Sequence, residues 1–153
     1  MDSIAQQLLG LPDTSEAVVV AIRLVTAALL GGIIGAERSA AGKAAGIRTH
    51  MLVALGSALF IVAPDHANIA SGDLGRIIQG VAAGIGFIGA GTILKLTDRE
   101  AILGLTTASS VWLTAAIGVA SAIGRLWVPI GCTVLAWVIL YFAGRAERRL
   151  APR

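Results

Sequence analysis

Apolar residues fall along this chain in five long runs, separated by short charged stretches, and neither the period of an amphipathic helix nor that of a half-buried strand interrupts them. The clearest run lies between Arg76 and Lys95, where eighteen consecutive uncharged residues come close to the number a helix needs to cross about 30 Å of hydrocarbon. Reading the others in the same way gives spans at about 14–36, 48–64, 76–94, 103–123 and 126–144. The expected fold is therefore all-α, a bundle of five transmembrane helices forming one domain over residues 1–150.

The punctuation supports those boundaries. Asp13 stands as N-cap for the first helix, with Glu16 in capping-box position. The segment from Glu37 to His50 is short, charged and contains Gly42 and Gly46, as expected of a loop or interfacial helix. Met51 to Pro64 holds only fourteen residues, and reaches spanning length only if Arg48, Thr49 and His50 sit at one interface. Thr97 to Glu100 forms a brief charged turn, followed by twenty-four uncharged residues from Ala101 to Gly124. Trp127 and Tyr141 flank the last span as interfacial aromatics.

Glycine changes the picture most in the third span, where Gly80, Gly84, Gly86, Gly89 and Gly91 create overlapping small-xxx-small steps. Such a face lets a second helix approach to backbone contact, which is how helices associate where lipid is as apolar as leucine. Gly31 and Gly35 make a similar face on the first helix. These faces suit a homo-oligomer such as a dimer, or packing within one five-helix bundle, and the intramolecular use is the expectation. Gly84-Ile85-Gly86-Phe87-Ile88-Gly89 also matches the G-x-G-x-x-G dinucleotide fingerprint, but no strand precedes it and no βαβ unit surrounds it, so the nucleotide reading is rejected.

Composition agrees with a lipid environment: 56% of the residues are hydrophobic and 14% charged, with mean hydropathy +0.84. The single cysteine, Cys132, forms no intramolecular disulfide and is expected to be a buried, inert thiol. Met1 to Asp13 has neither a basic n-region nor an A-x-A site, so no cleaved signal peptide is expected. The pI near 9.8 would suit nucleic acid, yet the basic residues are distributed by loop. Nine of them (Arg38, Lys43, Arg48, Lys95, Arg99, Arg145, Arg148, Arg149, Arg153) fall on one side of the five-span topology, against Arg76 and Arg125 on the other. That asymmetry predicts an external amino end and a cytoplasmic carboxyl end, with no nucleic-acid partner.

All carboxylates lie at span ends or in loops, Glu16 in the first turn of the first span included, which weakens a proton relay or a dehydrated Mg²⁺ site without removing transport through backbone carbonyls and the Thr106 and Thr107 hydroxyls. His50 and His66 are expected on opposite faces as interfacial residues, and no nucleophile elbow or metal-ligand spacing is present, so no catalytic residue, metal or cofactor is expected. Two polar clusters remain. Asp73, Arg76 and Gln79 share one face of the outer end of the third span, within expected reach of Arg23; Glu37 and Arg38 with Arg48 and Thr49 form an inner counterpart. The hydroxyl-rich fourth span, with Thr106, Thr107 and Trp112, is expected to bond largely back to its own carbonyls.

These pieces together resemble the MgtC/SapB (YhiD-like) family of bacterial membrane proteins. The resemblance rests on Arg23-Leu24 with Gly31 to Arg38, Ala45 to His50, Arg76 to Gln79 with Gly84 to Gly91, and Gly104 to Ala108 with Trp112 and Ala116 to Gly118. It implies an inner-membrane, multi-pass protein involved in growth at low Mg²⁺ and survival inside phagocytes, with two functional expectations. One is regulation, including inhibition of the membrane-embedded ATP synthase by helix packing; the other is transport of Mg²⁺ or another cation. An intramembrane enzyme is a much weaker third reading. Many relatives carry a soluble carboxyl-terminal domain of ACT-like type; the chain is expected to be a short form without it, and activity resident there is not carried over.

Overall fold

The computed structural model describes residues 13–65, 73–96 and 101–150. Helices α1 (Thr14–Ala40), α2 (Ile47–Asp65), α3 (Leu74–Gly91), α4 (Leu105–Ile123) and α5 (Trp127–Leu150) follow in order. Between α3 and α4 lies a hairpin of two three-residue strands, β1 (Leu94–Leu96) and β2 (Ala101–Leu103). α1, α3, α4 and α5 are long and apolar enough to cross a membrane, and α2 offers a shorter apolar helix from Ile47 to Ala63. The acidic start of the chain, His66 with its loop, the turn Thr97 to Glu100, and Arg153 lie outside the described residues.

The helix ends explain where the boundaries shift. Asp13 caps α1, its carboxylate accepting from the Thr14 amide at 2.8 Å. The helix runs four residues beyond the expected Ala36, because Glu37 to Ala40 are all compatible with a helix and the first true stop is Gly42 at φ +68°. There the Lys43 amide reaches the Arg38 carbonyl and the Gly42 amide the Ser39 carbonyl, each at 3.0 Å, the double closure of a Schellman motif. Ser39 then accepts from the Ile47 amide at 3.2 Å, so the end of α1 caps the start of α2.

The third and fourth spans both begin or end differently from expectation. α3 stops at Gly91, where Thr92 Oγ1 and the Thr92 amide both bond to the Gly89 carbonyl. Leu94, expected to end the helix, is instead extended, and Leu94 to Leu96 pair with Ala101 to Leu103, Lys95 opposite Ile102. α4 therefore begins at Leu105, after Gly104 at φ +94°, where a Cβ would collide with the Thr92 carbonyl oxygen. Only glycine fits that close crossing, so the strand is turned abruptly into the helix. In α5, Pro129 occupies the first turn, where its missing N–H costs nothing. This helix continues past the expected residue 144, through the charged segment to Leu150.

Helix α2 is the hub, packed between α1 and α4, with α5 against α1 and α4. Many of the residues buried there are small or hydroxylated, Ala27, Gly31, Ala54, Ala58, Ser57, Ser110, Thr114, Gly118 and Ser121, with Ile34, Val111 and Ile117 as larger apolar members. Many other large apolar residues face outward, among them Ile22, Val25, Leu29 and Ile33 on α1, Phe60 on α2 and Phe142 on α5. A small-residue interior inside a Leu/Ile/Val/Phe surface is the packing expected where lipid surrounds the protein. Cys132 is exposed on that outer surface and not buried as expected, because α5 presents one side to the bundle, through Thr133 and Ala136, and its neighbours elsewhere.

Candidate functional site

Three features distinguish the bundle: close helix crossings on glycine, a buried polar seam, and a third helix left largely uncovered. At the α1–α2 crossing, a Cβ on Gly31 would lie 2.5 Å from the His50 carbonyl oxygen, and one on Gly35 would lie 2.6 Å from the Ile47 Cα. The predicted face on α1 is thus used within the chain. A matching contact joins α2 to α4, where a Cβ on Gly118 would collide with the Ala54 carbonyl. Nothing in the local pattern around Gly118 distinguishes it from other small residues, since only the partner's backbone makes it special.

The glycines of α3 behave differently. Gly80, Gly84, Gly86 and Gly91 have nothing within 4 Å of where a Cβ would stand, and only Gly89 meets a neighbour, Ala108 of α4 at 3.6 Å. The expected intramolecular use of this face is therefore confined to one residue. The reason is geometric: α3 joins the bundle through Leu74, Ile77, Ile78 and Val81, which lean on the apolar cluster around Ile61, Val62 and Val119, and beyond that contact no atom of α2 comes within 4 Å of a Cβ at Gly80 or Gly84. Between α2 and α3 this leaves a groove of about 740 Å³, almost wholly apolar, with Gly56, Gly80 and Gly84 on its walls beside Leu52, Phe60 and Ile77.

His50, expected at an interface, is fully buried. Its Nδ1 lies 2.9 Å from the Gly46 carbonyl and its Nε2 3.2 Å from Ser110 Oγ. A carbonyl only accepts, so Nδ1 is the donor, and in the neutral ring Nε2 accepts from the serine hydroxyl. The Ser110 hydroxyl has one proton and also lies 2.8 Å from the Thr107 carbonyl, so Nε2 and that carbonyl share a single donor. The ring moves inward because Gly31 and Gly35 let α1 and α2 approach so closely that the start of α2 is covered. Ser109, Thr114 and Ser121 of α4 follow expectation, each donating to the carbonyl four residues back, and Thr133 of α5 does the same.

The two predicted polar clusters are rearranged. Asp73 and Arg76 do pair, at 3.4 Å, but with side chains 45% and 84% exposed, and Gln79 is exposed too. Arg23 is directed elsewhere, against the end of α4, where a Cβ on Gly124 would lie 2.7 Å from its Nη2. A cation there faces the negative end of the α4 dipole. At the opposite end, Glu37 and Arg38 pair at 3.3 Å and are both nearly buried. Arg48 is exposed and Thr49 half-buried, and neither lines the cavity of about 260 Å³ beside that pair. The cavity instead gathers Lys43, Thr106 and Glu147 around Glu37 and Arg38. Thr107 is buried in the helix packing, and Trp112 is half exposed on the outer surface. Among the described residues no three His, Cys, Asp or Glu side chains come together as a metal-holding group.

Comparison with known proteins places these features in a lineage. Residues 24–149 match the MgtC family. The chain is 47% identical to protein SrpB of Synechococcus elongatus over 69% of its length, and 42% identical to "Putative magnesium transporter YhiD" of Escherichia coli over 78%. It is 38% identical to protein MgtC of Salmonella typhimurium over 74%. It spans 63%, 58% and 48% of the length of those three relatives, respectively. No solved structure matches the chain.

Proposed function

The chain belongs to the MgtC family, and from that premise we propose that it is a multi-pass protein of the bacterial inner membrane, serving adaptation to low magnesium by docking a transmembrane helix of a membrane complex. The amino end lies outside and the carboxyl end in the cytoplasm, following the basic-residue asymmetry. The observation that carries this reading is the open groove between α2 and α3. Gly56, Gly80 and Gly84 have no neighbour within 4 Å of a Cβ position, so an incoming helix can approach the backbone of both helices. Gly80 and Gly84 are four residues apart and form one ridge-free strip, while Phe60 and Ile77 supply apolar walls. The ATP synthase implied by the family resemblance is the first partner to test. The activity is non-enzymatic, since it consists of binding alone.

The test is photocrosslinking from position 84 in native membranes, with a crosslinker at Val25 of the exposed α1 face as control. An adduct with one membrane protein from position 84, absent from position 25 and lost when Gly80 is replaced by Leu, is the expected outcome. Equal labelling from both positions would overturn the groove.

A second reading, cation transport, is favoured by the name of the Escherichia coli relative and by the charged outer end of α3. It predicts Mg²⁺ entry into liposomes containing the purified protein, reduced by Asp73→Ala. Entry no faster than into empty liposomes would eliminate it.

A further inference from the structure

Arg38 is 3% exposed, yet two of its three nitrogens, Nε and Nη2, are buried without a hydrogen-bond partner among the described residues. The third, Nη1, is held by Glu37 at 3.3 Å. These positions matter because Nε–H and one Nη2–H form the side-on edge of the guanidinium, two parallel donors spaced for two oxygens of one oxyanion. A buried charged fork left empty is costly, and a guanidinium cannot relieve the cost by losing its proton.

The surroundings supply more of the same chemistry. Arg38 lines the cavity of about 260 Å³ at the junction of α1, α4 and α5, which is ample for a tetrahedral oxyanion. Lys43 adds a second cation to its wall. Thr106, also on the wall, is the second residue of α4, a helix whose N-terminus has no side-chain cap and carries positive partial charge. Donors thus arrive from the end of α1, the following loop and the start of α4. A planar carboxylate would use the fork alone, whereas the several oxygens of a phosphate suit donors from three directions. Glu37 and Glu147 are the acidic groups of the wall; Glu37 is already paired with Nη1, opposite the vacant edge.

We propose that the cavity at Arg38 is a binding site for a phosphate-class oxyanion, held by the Nε/Nη2 edge of Arg38 with Lys43 and the start of α4. It is separate from the α2–α3 groove, and either site can fail without the other. The phosphate could belong to a free anion or to a phospholipid headgroup, since the cavity opens at the end of the helices where headgroups lie.

The experiment uses the full chain in phosphatidylcholine nanodiscs. One arm measures radiolabelled inorganic phosphate by equilibrium dialysis; the other adds phosphatidylglycerol and quantifies the lipid retained after purification. Saturable phosphate binding, weakened at least tenfold by Arg38→Lys and Arg38→Gln, assigns the site to a free anion. Stoichiometric phosphatidylglycerol retention with the same dependence assigns it to the headgroup. Lys43→Gln, which leaves the buried pair in place, should weaken either by several-fold, and keeps the test valid if the Arg38 variants do not fold. Absence of saturable binding of both probes by the wild-type protein overturns the proposal. Binding seen only with Glu147→Gln overturns it too, because Glu147 would then close the edge internally.

Discussion

Nε2 of His50 meets Oγ of Ser110 at 3.2 Å, joining α2 to α4 inside the bundle where neither side chain reaches the surroundings. With Gly46 at its other nitrogen, the ring ties the start of α2 to the start of α4. Replacing His50 by Ala leaves Ser110 with only its own helix carbonyl and opens a hole where the ring stood. The expected loss of stability is about 2–4 kcal/mol, from a lost buried hydrogen bond and a cavity together. Ser110→Ala should cost less, about 1 kcal/mol. A double-mutant cycle, read by unfolding in detergent, should return a coupling of at least about 0.5 kcal/mol; strict additivity would show that the bond contributes nothing.

Glycines that look alike in the sequence should respond in opposite ways to alanine. At Gly118 and Gly31 the new methyl meets the backbone of α2, and a loss of about 1–3 kcal/mol is expected. At Gly84 it meets open space, so Gly84→Ala should be neutral or stabilise α3 by up to about 1 kcal/mol. Thermal denaturation of the three variants side by side checks this, and equal losses would contradict the packing.

Gly124 is constrained by conformation as well as by space. It ends α4 at φ +96° with Arg23 against it. Gly124→Ala should therefore destabilise by about 1–2 kcal/mol. Gly144, whose backbone is helical, provides the comparison: the same substitution there should be tolerated, and a similar loss at both positions would refute the special role of the α4 end.

Acid should loosen the beginning of α1. The Ser15 hydroxyl and then the Thr14 amide hold the Asp13 carboxyl below its ordinary value of 3.8. Its folded value is depressed, so the capping contribution is complete above 3.8 and disappears as pH falls through the lower, folded value. Amide exchange at Thr14 to Glu16 should accelerate over that interval, and Asp13→Asn should remove the pH dependence. An unchanged profile in the variant would show that another group titrates.

The exposed pair on α3 should matter little to folding. Asp73→Ala and Arg76→Ala are each expected to change stability by less than about 0.5 kcal/mol, given 45% and 84% exposure of the two side chains. A larger loss would mean that the amino-terminal end of α3 is covered in the membrane.

Much of this molecule was decided locally, and those parts were legible. Five apolar runs specify five helices, because a chain this apolar must satisfy its backbone within each segment. Asp13 as a cap and the hydroxyl back-bonds of α4 depend on neighbours only a few residues away, as do Gly31 and Gly35 as a small-residue face. What depended on distant partners was not legible. Sequence spacing shows small-xxx-small strips on both α1 and α3, yet the tertiary packing closes the first on α2 and leaves the second open. Likewise, His50 and Arg38 look like interfacial residues from their neighbours in sequence; close helix approach buries both, giving one a serine sixty residues away and leaving the other with a vacant edge. The hairpin of β1 and β2 belongs with them, since Leu94 pairs with Leu103 just where Gly104 crosses the Thr92 carbonyl, a contact between residues distant along the chain. Which residues sit on a helix follows from the local pattern; which side of that helix meets another backbone is decided only when the helices pack.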